Sequence, residues 1–200
     1  EHVAVNKKDP IAFIIRCFFI FSCSSVPLTG RRQLDIIPSD TMLSTSFQQY
    51  DEFLKSNKIS TNQAQTNMVK SVGGRIQKAV EKYMADNQMS SRLKNYNWEF
   101  NLIENPEANA WCMPGGKVVV YTGILPITKD ENGLAVVMGH EIAHAIAKHG
   151  DERMSQGLIA EFGTAAISMA LQSSPAATQK LWMNAFGVGT QYGILLPYSR

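Results

Sequence analysis

Two histidines four residues apart, with a glutamate directly after the first, stand at His140-Glu141-Ile142-Ala143-His144. If the segment is helical, four residues advance it by about 400°, so the two imidazoles lie about 40° apart and one turn apart along the axis. They can then grip one metal ion, and two imidazoles suit zinc. Glu141 falls about 100° round from His140, beside the metal without joining its ligand face. From there its carboxylate can act as a general base, taking a proton from a zinc-bound water and passing it to a leaving amine. That is the chemistry of peptide hydrolysis. Chance is the competing explanation: with four histidines in 200 residues, simple multiplication gives the pattern in roughly half a percent of chains of this composition.

The surrounding sequence must supply the helix. Thr128-Lys-Asp-Glu131 has the spacing of a capping box that starts one, and Gly150 is expected to end it. Between them Leu134, Val137, Met138, Ile142, Ala145 and Ile146 form an apolar stripe, so the helix is buried on at least one side. On this uninterrupted helix His149, nine residues after His140, points about 180° away from the metal and reads as a surface or cap histidine. Glu152 falls about 12 Å along the axis from His144, too far to ligate. No third ligand is found in residues 1 to 200, although a catalytic zinc site takes three protein ligands and one open position. The third is expected beyond Arg200 or from a partner.

Strand signals precede the helix. Trp98 to Ile103 alternates with period two, Asn109 to Met113 does so more loosely, and a Pro114-Gly115-Gly116 turn leads into Lys117-Val-Val-Val-Tyr121. The stretch predicts a small antiparallel sheet with a hairpin. Cys112 reads as a small apolar strand residue and Trp111 as a strand aromatic in the core or at the cleft edge. Two amphipathic helices are expected upstream, at about 41–55 with Phe47, Tyr50, Phe53 and Leu54, and at about 62–87 with Val69, Val72, Ile76, Val80 and Tyr83. Downstream, the small-residue run Gly157 to Leu171 and the glycine-rich run Met183 to Leu196 suggest helices packed closely on the histidine helix. The fold class is therefore α+β, mainly helical, with a small antiparallel sheet beside the zinc helix.

The first 25 residues read as a signal segment: Lys7 and Lys8, an apolar run from Ile11 to Phe21 interrupted by Arg16, then Ser22-Cys23. The pattern resembles a bacterial lipoprotein signal with Cys23 as the lipidated residue, which would tether the protein to a membrane. Residues 26–38, punctuated by Pro and Gly, are expected to be a linker, and 39–200 the folded domain. The chain opens on Glu1 without an initiator Met and stops after Tyr198-Ser199-Arg200, which reads as a fragment. A formal net charge of +2 without a basic block gives no electrostatic reason for a nucleic-acid partner. Three scattered cysteines argue against a disulfide framework and a thiolate zinc site.

Three stretches together resemble peptidase family M48, the zinc metallopeptidases that include HtpX and the CAAX prenyl proteases. They are Asn105-Pro-Glu-Ala-Asn-Ala-Trp-Cys-Met-Pro-Gly-Gly-Lys-Val-Val-Val-Tyr-Thr-Gly-Ile-Leu, then Gly139 through Ser155, and Gly193-Ile-Leu-Leu-Pro-Tyr-Ser-Arg200. The likeness is nearer to soluble, membrane-associated bacterial members and to the related mitochondrial inner-membrane quality-control protease. It implies a zincin-like (gluzincin) domain with Zn2+ as cofactor and a glutamate after Tyr-Ser-Arg as third ligand. It also implies that Asn109, Ala110 and Trp111 hold an extended polypeptide substrate by strand addition. With the lipoprotein-like start, the expectation is a zinc endopeptidase cutting unfolded or misassembled proteins on the periplasmic side of a bacterial envelope, as an outer-membrane lipoprotein. The competing expectation is a chaperone-like holding module of the same fold with weak or no hydrolysis.

Overall fold

The computed structural model describes residues 23–25, 30, 32–162 and 175–186. The expected apolar run at 11–21, most of the small-residue run 157–171 and the Gly193–Arg200 stretch lie outside the described residues.

A three-stranded sheet organises the fold. Strands β3 (Glu99–Ile103), β4 (Ala110–Met113) and β5 (Lys117–Tyr121) lie in the order β3-β5-β4. The β4–β5 hairpin forms as expected, antiparallel with Met113 opposite Lys117. Its Pro114-Gly115-Gly116 loop needs the left-handed backbone of Gly115 (φ 85°) and Gly116 (φ 82°), which costs glycine nothing. The all-antiparallel expectation fails at β3, which pairs parallel to β5 with Glu99 opposite Lys117 and Ile103 opposite Tyr121. The physical reason lies in β5: Val118, Val119 and Val120 are all fully buried, and a strand apolar on both faces seeks the centre of a sheet covered on both sides. The chain therefore crosses from β3 to the far edge and returns through the middle. The outer edge of β3 is covered by residues 58–60, where Ser60 N–H donates to the Leu102 carbonyl and Glu104 N–H to that of Lys58.

Alternation along the strands sorts the core into two halves. Ala110, Cys112, Val118 and Val120 face the cluster made with Val69, Val72, Leu134, Met138 and Ile142, which brings α2 (Gln63–Asp86) and α4 (Glu131–Ile146) onto that face. Trp111, Met113, Val119 and Tyr121 face the other cluster, with Tyr50 and Phe53 of α1 (Ser39–Ser56), Met154 and Leu158 of α5 (His149–Phe162), and Trp182 of α6 (Pro175–Ala185). The sheet is thus the middle of three layers, the arrangement in which all four residues of β4 and all five of β5 can be buried. In α2 the predicted stripe holds at Val69 and Val72. Tyr83 is 49% exposed, and Met84 takes the core position instead.

Strands β1 (Cys23–Ser25) and β2 (Arg32–Leu34) form a separate antiparallel pair with Cys23 opposite Leu34. The expected linker thus contains a strand, and Ile36 N–H donates to Ser155 Oγ of α5. Among the described residues no helix is long and apolar enough to cross a membrane.

Asp151 of α5 is 4% exposed, and burial, with Asp35 adding to it and Lys148 opposing, pushes its carboxyl up to about 7 from 3.8. The folded state therefore holds this proton more tightly than the unfolded chain. Its stabilising contribution is complete below about pH 4 and is lost as pH rises through about 7. Asp151→Asn, neutral at every pH, should remove that loss: its melting temperature should exceed the parent's at pH 8 by more than at pH 5. The difference is on the order of 3 kcal/mol at most, and parallel stability curves for the two proteins would contradict it.

Candidate metal centre

The histidine helix forms, although both ends differ from expectation. Its N-cap is Asp130, whose carboxylate accepts from Asn132 N–H and Gly133 N–H, both at 2.9 Å. Thr128 does not cap it. Pro126 opens a short preceding helix, α3 (Leu125–Thr128), of which Thr128 is the last residue, its hydroxyl donating to the Leu125 carbonyl. Lys129 then turns the chain in a left-handed conformation, φ 65°, which sets Asp130 at the start of α4. The helix ends at Ile146, before Gly150. Gly150 belongs to α5, where an added Cβ would run into the Phe186 ring, so its job is close packing.

On α4 the expected face is assembled. His140 is exposed and His144 half-buried, and their Nε2 atoms face each other at 2.9 Å. Two nitrogens on a tetrahedral zinc at 2.0–2.1 Å stand about 3.3 Å apart, so a shift of a few tenths of an ångström opens the pair around the ion. Burial first, then the neighbouring His140, His149 and Arg153, pull the His144 imidazole down to about 4. It is therefore neutral at physiological pH, the form that binds metal.

Glu141 turns inward to 9% exposure. Burial raises its carboxyl to about 8, with Arg153 drawing it back, and its Oε1 is buried without a hydrogen-bond partner. At that value the carboxyl keeps its proton at neutral pH, and a cation held by the histidine pair would favour the ionised form that can serve as base. The residues fit zinc. Among the described residues, no third His, Cys, Asp or Glu joins the pair in a ligand cluster.

The other candidate residues lie beside this helix. β4 packs against α4 and is an edge strand of the sheet. Asn109, Ala110 and Trp111 are only 2%, 1% and 1% exposed. Of the two positions open for Trp111, the structure selects the core: its ring meets Phe53 edge-on at 4.9 Å and Tyr50 at 6.2 Å. Cys112 is a buried strand residue, and burial pushes its thiol far up, which removes it as a nucleophile. Cys23, the expected lipidation position, stands in β1.

His149 is where the sequence reading went wrong. It does not continue α4 and does not point away. The chain breaks at Lys148, and the His149 Nδ1 lies 2.6 Å from His144 Nδ1. The local sequence carries no signal for this, because a lysine is a poor predictor of a left-handed helix stop.

Residues 71–200 match the model of peptidase family M48. The chain is 38% identical over 110 residues to mitochondrial metalloendopeptidase OMA1 of Schizosaccharomyces pombe, covering 55% of this chain and 30% of that protein. It is 29% identical over 141 residues to mitochondrial metalloendopeptidase OMA1 of Bos taurus, covering 69% and 26%. The Escherichia coli beta-barrel assembly-enhancing protease shares 40% over 52 residues, 26% of this chain and 11% of that protein. The chain thus spans less than a third of the length of these relatives. These matches bear out a metalloendopeptidase family and correct the expected address. The longer matches are to mitochondrial proteins and the Escherichia coli match is short, which overturns the bacterial outer-membrane placement that had been drawn from the lipoprotein-like start. The chain belongs to peptidase family M48.

Proposed function

We propose that the protein is a zinc-dependent endopeptidase of polypeptides, with His140 and His144 as metal ligands and Glu141 as general base. The observation that carries this reading is the pair of imidazole Nε2 atoms 2.9 Å apart on one face of α4, with the residue directly after the first of them a buried Glu141 whose Oε1 has no hydrogen-bond partner. When bound, zinc supplies Lewis-acid polarisation of the scissile carbonyl and acidifies water. Glu141 accepts the proton of the attacking water at its carboxylate and delivers it to the leaving amine. The third ligand is not among the described residues. A mitochondrial setting is the placement that the names of the longer-matching relatives support. The edge position of β4 beside α4 supports pairing of an extended substrate along Asn109, Ala110 and Trp111. Because all three are buried, that edge must open before a peptide can pair.

The test is casein hydrolysis by the chain extended to its natural stop, with the metal removed by a chelator and then restored. Cleavage should stop on chelation and return with zinc. Cleavage that persists in chelator would refute the assignment, and casein binding without cleavage in either state would favour the holding module.

A further inference from the structure

On an uninterrupted helix His144 and His149 would be separated by about 500°, leaving their side chains about 140° apart around the axis. Lys148, at φ 57°, ends that geometry. The His149 ring lands 4.9 Å from that of His144, tilted by 56°, with the two Nδ1 atoms 2.6 Å apart. Nitrogens at that distance share one proton, since two N–H groups would meet head to head and two lone pairs would repel. His144 turns its other nitrogen, Nε2, toward His140. A metal there takes the Nε2 lone pair, so the His144 proton must sit on Nδ1. His149 then accepts through Nδ1 and carries its own proton on Nε2.

Building on the zinc reading above, we propose that His149 is a positioning residue for the metal centre, fixing the tautomer and ring plane of His144 by accepting its Nδ1 proton. A carboxylate, backbone carbonyl or water usually fills this place. Here a histidine from the next helix fills it, and the break that delivers it is held from outside. Lys148 Nζ donates to Asp35 Oδ2 at 3.1 Å and to Ser39 Oγ at 3.3 Å, and Glu152 N–H donates to the Lys148 carbonyl. The tight seat of Gly150 on Phe186 fixes the first turn of α5, and with it the reach of His149.

The experiment is zinc affinity by chelator competition on the chain extended to its natural stop, with folding of each variant checked by circular dichroism. His149→Phe keeps a ring and removes the acceptor, whereas His149→Asn places a carbonyl oxygen close to where Nδ1 stood. The expected result is about 10–100-fold weaker binding in His149→Phe, with His149→Asn recovering most of that loss. Unchanged affinity in His149→Phe would overturn the proposal, and so would equal losses in both folded variants, because His149 would then act through packing alone. A His144→Ala arm separates the two levels: it should abolish binding. If it binds zinc like the parent, the histidine pair is no metal site and the zinc reading falls, taking the role of His149 with it.

Discussion

Glu141→Gln should lower peptide cleavage by about 10²–10⁴-fold, the span a positioned general base contributes, while the protein stays folded and keeps its zinc. The amide is close to isosteric with the carboxylate and, like it, sits off the ligand face of α4, so the histidine pair is untouched. It cannot accept the proton of an attacking water. The variant also removes an ionisable group from a site where burial holds its carboxyl at about 8, so folding stability should not suffer. Parent and variant, compared for casein hydrolysis and for bound zinc, give two readouts. Loss of activity with retained metal fits a base. Equal loss of both would make Glu141 a determinant of metal binding, and cleavage that survives would remove it from the mechanism.

Trp111→Ala should be the most damaging single change outside the metal centre. The indole is 1% exposed and meets Phe53 and Tyr50, both of α1, edge-on, so it ties α1 to the sheet that carries α4. Truncating a buried Trp costs about 3–5 kcal/mol of a total near 5–15 kcal/mol. For a chain of this size that lowers the melting temperature by roughly 6–20 °C. A Trp111 side chain that served mainly to contact substrate would behave otherwise, raising KM and leaving the melting temperature in place. The same thermal scan therefore distinguishes a core role from a groove role.

What the sequence discloses and conceals follows from how local each cause is. The i, i+4 spacing of His140 and His144 places them on one helical face whatever surrounds them, and their Nε2 atoms do face each other. The Pro-Gly-Gly hairpin is equally local, since its turn chemistry lies inside the turn. The ends of α4 are less so. Thr128 and Asp130 are both good N-cap residues, and the choice goes to Asp130 because Pro126 starts a separate turn that consumes Thr128. Parallel pairing of β3 with β5 depends on which helices cover the two faces, so alternation within β3 could not reveal it. The break at Lys148 is the least legible of all. A non-glycine residue there is in a left-handed conformation while its ammonium meets Asp35, 113 residues earlier, and without that break His149 would be a bystander.

An anomalous difference map collected across the zinc absorption edge, on crystals of the chain extended to its natural stop, is the most direct test of the metal centre. The expected result is one strong peak about 2.0–2.1 Å from both His140 Nε2 and His144 Nε2, with the Glu141 carboxylate beside it and outside direct ligation. No peak between the two imidazoles in crystals grown with zinc, or a peak held by other residues, would contradict the account at its centre.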